Sequence, residues 1–212
     1  MVATLPNRDP DARALLRSAA TRAAPAVQAG DRRLSIAGPI GNLLPAGGIR
    51  RGATIALDGP PGAGSTTVAM SLAAAATSAG EWAAVVDPDG TFGARAAADA
   101  GVALERCAIV RRVPSDRWAT VVAALLDGVT LVVAATPNHL RLGDARRLTA
   151  RARERASVLV ALGPWPAEAA LRIHARAHEW SGLGDGAGLL TEGNLVVDLE
   201  GRGVRTPAAR AG

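Results

Sequence analysis

Leu57-Asp58-Gly59-Pro60-Pro61-Gly62-Ala63-Gly64-Ser65-Thr66-Thr67 is the stretch that decides the fold. An apolar run, Ala53–Leu57, precedes it and reads as a short buried strand. Behind it the pattern predicts a helix over 65–78. Strand, glycine loop and helix in this order match the phosphate-cradling template G-x-x-x-x-G-K-[ST] at all but one position. Gly59 and Gly64 have its spacing, with Gly62 between them, and Thr66 supplies the hydroxyl that meets magnesium in such loops; Thr67 follows. The lysine position holds Ser65. Backbone N–H groups at the helix start can still cradle an anion. The cation that reaches the outer phosphates is missing. A hydrogen bond to a charged group contributes roughly 1.5–3 kcal/mol, or about 10- to 150-fold in affinity. Phosphoryl transfer rests on positioning and charge stabilisation, so turnover suffers more than binding.

No other residue type in the chain can make up the loss. All 24 basic residues of the 212 are arginine and none is lysine, against 19 acids, for a net charge of +5. Schiff-base chemistry is excluded with the P-loop lysine. Cys107 is alone, so no internal disulfide or cysteine-based zinc site is expected. His139, His174 and His178 lack metal-ligand spacing, and no metal site is expected. The first residues, Met1 to Arg13, contain no apolar leader core, and no long apolar run occurs. The expectation is a cytoplasmic protein with no membrane contact.

Outward from the glycine loop, short apolar runs alternate with helical patterns. Strands are expected at 82–86, 108–113, 131–135 and 158–162, and helices at 92–100, 115–126 and 142–156. This repeat implies α/β architecture: a mostly parallel twisted sheet with helices on both faces. After Gly163 the pattern changes. Leu171–Trp180 and Asn194–Leu199 alternate, and Glu200-Gly201-Arg202-Gly203 reads as a hairpin turn, so antiparallel strands are expected at the C-terminal end. The expected organisation is an N-terminal helix and linker over 1–32, a core over 33–204 and a flexible tail over 205–212. Asp9-Pro10-Asp11 starts the first helix, and Leu15 and Leu16 lie on its narrow apolar stripe, a candidate partner contact.

From residue 34 to residue 204 the chain resembles the ATPase core of RecA-type recombinases. Ala46-Gly47-Gly48-Ile49-Arg50-Arg51-Gly52 is similar to the family's glycine-rich segment before the first core strand, and the P-loop follows. Val85-Val86-Asp87-Pro88-Asp89 resembles its apolar–acidic segment, and Ala94-Arg95-Ala96 through Gly101-Val102 its next helix. The resemblance implies a RecA-like P-loop core in which each chemical position has drifted. Ser65 replaces the lysine. Asp89 aligns with the catalytic glutamate and is one methylene shorter, enough to misplace a water by ~1 Å. Ala134 aligns with the magnesium-associated aspartate. No glutamine follows Leu162. The two DNA-binding loops are cut down to Pro137–Gly143 and Pro164–Glu168.

This set of losses resembles the ImuA-type branch, in particular its short actinobacterial form. The resemblance implies a non-catalytic adaptor in a DNA-damage-induced translesion (mutasome) complex. Implied partners are an inactive Y-family polymerase-like protein of the ImuB type and an error-prone replicative-type polymerase, with DNA met weakly or indirectly at the nucleoid. No cofactor is assigned: ATP and magnesium could sit in the cradle without turnover. Two other functions stay open on the residues alone, a divergent nucleotide-binding ATPase and a DNA-binding recombination mediator. Thr66, Asp87 and Asp89 favour the first. Arg147, Arg151 and Arg155, stacked on one helix face, favour the second as a basic stripe, although a solvated helix in a lysine-free chain has the same composition. Trp165, between two prolines, and Trp180, before Ser181-Gly182, lie in expected loops and are further candidate partner contacts.

Overall fold

The computed structural model describes the backbone of residues 2–4, 33–183, 188–201 and 204–211, and the side chains of 33–177 and 194–201. In chain order the elements are β1 (Val2–Thr4), β2 (Arg33–Ser35), α1 (Gly38–Leu43), β3 (Gly48–Arg50), β4 (Thr54–Asp58), α2 (Ser65–Ser78), β5 (Ala83–Asp87) and α3 (Ala94–Asp99). They continue with β6 (Cys107–Arg111), α4 (Ser115–Leu126), β7 (Leu131–Ala135), α5 (Leu142–Arg155), β8 (Val158–Leu162), β9 (Leu171–Leu183), β10 (Gly188–Gly201) and β11 (Val204–Ala211).

The main sheet has the order β1-β6-β5-β7-β8-β4-β9-β10-β11. From β1 through β9 every neighbouring pair is parallel; β10 and β11 are antiparallel. The α/β class, the mostly parallel sheet with helices on both faces and the antiparallel C-terminal strands all follow the expectation. The central strands are apolar at nearly every position because both faces are buried. Ile55, Leu57, Val85, Val133 and Val160 pack with α2 and α3 on one face. Ala56, Val86, Val132, Ala134 and Leu159 pack with α4 and α5 on the other. Helices after β4 and β5 thus cover one side, and helices after β6 and β7 the other.

Element ends differ from the periodicity by a residue or two, with local causes. The helix expected from Phe92 starts at Ala94, since the buried Asp87 carboxylate accepts the Thr91 and Phe92 N–H groups at 3.0 and 2.9 Å and holds them in a loop. The strand expected to reach Val113 ends at Arg111, where Arg112 turns to φ 55°. The small antiparallel pair β2–β3 and the edge strand β1, parallel to β6, were not legible, because three residues are too few for a period. The N-terminal helix expected after Asp9 lies outside the described residues. The segment 205–212, expected as a flexible tail, instead carries β11, which pairs with β10 from Gly201 and Val204 to Leu195 and Ala211.

Candidate functional site

In an open parallel sheet, ligand crevices form at the carboxyl ends of strands whose connections leave toward opposite faces. Here β4 and β8 are neighbours. The chain leaves β4 into α2 on one face, and leaves β8 through Trp165 and Ala167, which pack on the other. A crevice of about 390 Å³ opens at their carboxyl ends, lined by Asp58, Gly59, Ser65, Leu162, Gly163 and Pro164. Its two sides are stitched together by the Gly163 N–H, which donates to the Leu57 carbonyl at 2.8 Å, and the Thr136 N–H beyond β7 holds the end of β8 by donating to the Leu162 carbonyl at 2.9 Å.

The glycine loop is built as its sequence demands. Gly59 has φ 153°, and a Cβ there would stand 2.4 Å from the Ala175 carbonyl oxygen, so only glycine fits against β9. Gly64 caps α2 at φ 97° and accepts the first helical bond, from the Val68 N–H at 3.0 Å. The Ser65 hydroxyl is buried in the crevice wall with no hydrogen-bond partner among the described residues. Thr66 and Thr67 are exposed at the helix start. Gly62, at φ 81°, lies at the exposed tip.

The positions that the sequence resemblance led us to expect as drifted chemical positions have other occupations. Asp87 is buried and used up locally by Thr91 and Phe92, with the Arg111 Nε 3.7 Å away. Asp89 stands exposed on the turn beyond it. Ala134 is fully buried under α5 and offers a methyl group only. Cys107 is buried, which pushes its thiol up to about 11, so it is no nucleophile at neutral pH.

Asp58, in the crevice wall, has a partner that sequence spacing could not reveal. The Asp58 Oδ1 lies 2.5 Å from His174 Nδ1. The two residues are register partners at the last rung of β4 and β9. They are 116 positions apart, and only the sheet order brings them together.

The candidate contact residues fare differently. Trp165, expected in a loop as a candidate partner contact, is only 6 % exposed and belongs to the core beside α4 and α5, because the path from β8 to β9 folds back over that face. Its indole N–H has no partner among the described residues. Trp180 was also expected in a loop; its backbone is in β9 opposite Gly193, and its side chain lies outside the described residues. Leu15 and Leu16 lie outside them as well.

Along α5 the basic stripe is largely paired. Asp127 accepts from Arg151 Nε and Nη2, both at 2.6 Å, and from Arg155 Nε at 3.1 Å. Arg147 pairs with Asp144, and Arg151 reaches Glu154 as well. The Asp127 hydrogen bonds, with its charge, raise the Arg151 pKa. Asp127 belongs to another element, so the helix sequence alone did not reveal this neutralisation. Among the described residues no helix is long and apolar enough to cross a membrane.

A family model described as the MT3502 N-terminal domain matches residues 42–167, more than half of the chain, and the chain belongs to that family. The match spans the crevice from both rims. No curated protein matches the chain.

Proposed function

We propose that this member of the MT3502 N-terminal domain family is a non-catalytic, RecA-like adaptor of a DNA-damage-induced translesion complex. It works through protein contacts, with an inactive Y-family polymerase-like protein and an error-prone replicative-type polymerase as partners. The observation that carries the reading is the contrast at the crevice. The loop from Gly59 to Thr66 keeps its strand–loop–helix setting, while Ser65 stands where a cation belongs and Ala134 where a metal-associated acid belongs. Positioned charge is most of what a phosphoryl-transfer site provides. A site without it binds weakly and does not turn over.

The paired arginines of α5 weigh against a DNA-binding mediator. Phosphate recognition needs guanidinium groups free to displace the nucleic acid's counterions, and Asp127 and Asp144 already engage three of them. Contacts then fall to the chain ends, where Leu15, Leu16 and Trp180 are the proposed contact residues.

The test is capture of partners from damage-treated cells with the full chain. Leu15→Asp with Leu16→Asp should reduce capture at least tenfold without changing the thermal melt. Thr66→Ala should leave both capture and damage-induced mutagenesis at wild-type levels. Loss of mutagenesis in a stable, partner-bound Thr66→Ala protein would make nucleotide essential and end the adaptor reading.

A further inference from the structure

Asp58 is the last residue of β4 and part of the crevice wall. The other lining residues are Gly59, Ser65, Leu162, Gly163 and Pro164, so the one charged residue in the lining is an acid. Its side chain is 49 % exposed even with His174 against it. His174 is the one basic side chain that touches it among the described residues. Across β9, His174 faces Asp198 of β10, which pairs with Arg176. Arg172, on the same strand face, is turned away to the Ala167 carbonyl at 2.9 Å.

A phosphate group entering the crevice would meet two opposed influences. The α2 N-terminus presents N–H groups and a charge equivalent to roughly half a positive unit. The Asp58 carboxylate, at the foot of the same loop, presents a full negative unit. Protonated His174 can only cancel that carboxylate, because its Nδ1 is already committed to it. While His174 is neutral, the carboxylate outweighs the helix terminus, and the field at the loop has the wrong sign for an anion. Losing the lysine removes an attraction, whereas Asp58 adds a repulsion, and specificity is often set by such a repulsive element.

We infer that Asp58 is a specificity-determining residue that closes the glycine loop to phosphate-bearing ligands. The inference goes beyond the adaptor reading, which concerns turnover and partners. Phosphate affinity is measured without either.

The experiment is calorimetric titration of the full chain with inorganic pyrophosphate. Asp58→Asn keeps the shape and a hydrogen bond to His174 while removing the charge, and should bind at least tenfold more tightly than wild type. Asp99→Asn, on the exposed face of α3, changes net charge equally and should alter affinity less than twofold. Where wild type and Asp58→Asn both bind too weakly to measure, the comparison is repeated in a Ser65→Lys background, with the same tenfold gain expected from adding Asp58→Asn. A gain below tenfold in the measurable background overturns the inference. So does a gain matched by Asp99→Asn, or no binding by the Ser65→Lys, Asp58→Asn double variant. Melting curves confirm that each variant is folded.

Discussion

Asp127, just past the end of α4, clamps Arg151 of α5 through two parallel hydrogen bonds of 2.6 Å, the bidentate geometry in which arginine binds a carboxylate best. The clamp turns a stripe that looks basic in the sequence into an intramolecular ion network. Replacing Arg147, Arg151 and Arg155 together with alanine should therefore change single-stranded DNA binding by less than about twofold at any salt concentration, because few counterions are released there. Fluorescence anisotropy across a salt series measures this. A marked drop in both affinity and salt slope would show that the stripe contacts phosphates.

Acid should weaken the Arg51–Glu81–Thr130 cluster at the amino ends of the strands. Burial raises the Glu81 carboxyl, but hydrogen bonds from Arg51 and Thr130 and the Arg51 charge outweigh it, leaving Glu81 below its ordinary value. A carboxylate depressed in the folded state contributes stability above its unfolded pKa of about 4.3 and loses that contribution as pH falls through the folded value. Glu81→Gln should cost about 1–3 kcal/mol at neutral pH and flatten the acid limb of stability below pH of about 4.5. Urea unfolding at a series of pH values reports both effects.

Gly59→Ala should destabilise the fold by about 1–3 kcal/mol, since alanine is strained at that backbone angle and its methyl collides with the Ala175 carbonyl. Gly62→Ala has open space around it and carries only the conformational penalty, so it should cost about 1 kcal/mol. Chemical denaturation of the two variants side by side separates a loop held against β9 from one merely rich in glycine.

Trp165→Ala should cost about 3–5 kcal/mol, as for other large buried side chains. Any loss of partner capture should track the loss of folded protein. Capture reduced in a fully folded Trp165 variant would place the residue at an interface after all.

The sequence of strands and helices from β4 to β8 was legible because both signals are local: apolar runs for strands buried on two faces, and 3.6-residue stripes for the helices between them. The glycine loop was legible for the same reason, with Gly59, Gly62 and Gly64 at fixed offsets. Relationships across the sheet were not. Asp58 meets His174 because β9 returns beside β4, and Asp127 meets Arg151 because α4 and α5 share a face. Trp165 lies between two prolines and outside the apolar runs, yet its side chain is buried by a chain path that no local spacing encodes.

ATP hydrolysis by the purified full chain, with and without single-stranded DNA, tests the central claim most directly. Wild type and Ser65→Lys should both show no turnover above a heat-inactivated control, because restoring the cation leaves Ala134 and Asp89 unchanged. DNA-stimulated hydrolysis by the wild-type chain would contradict the account.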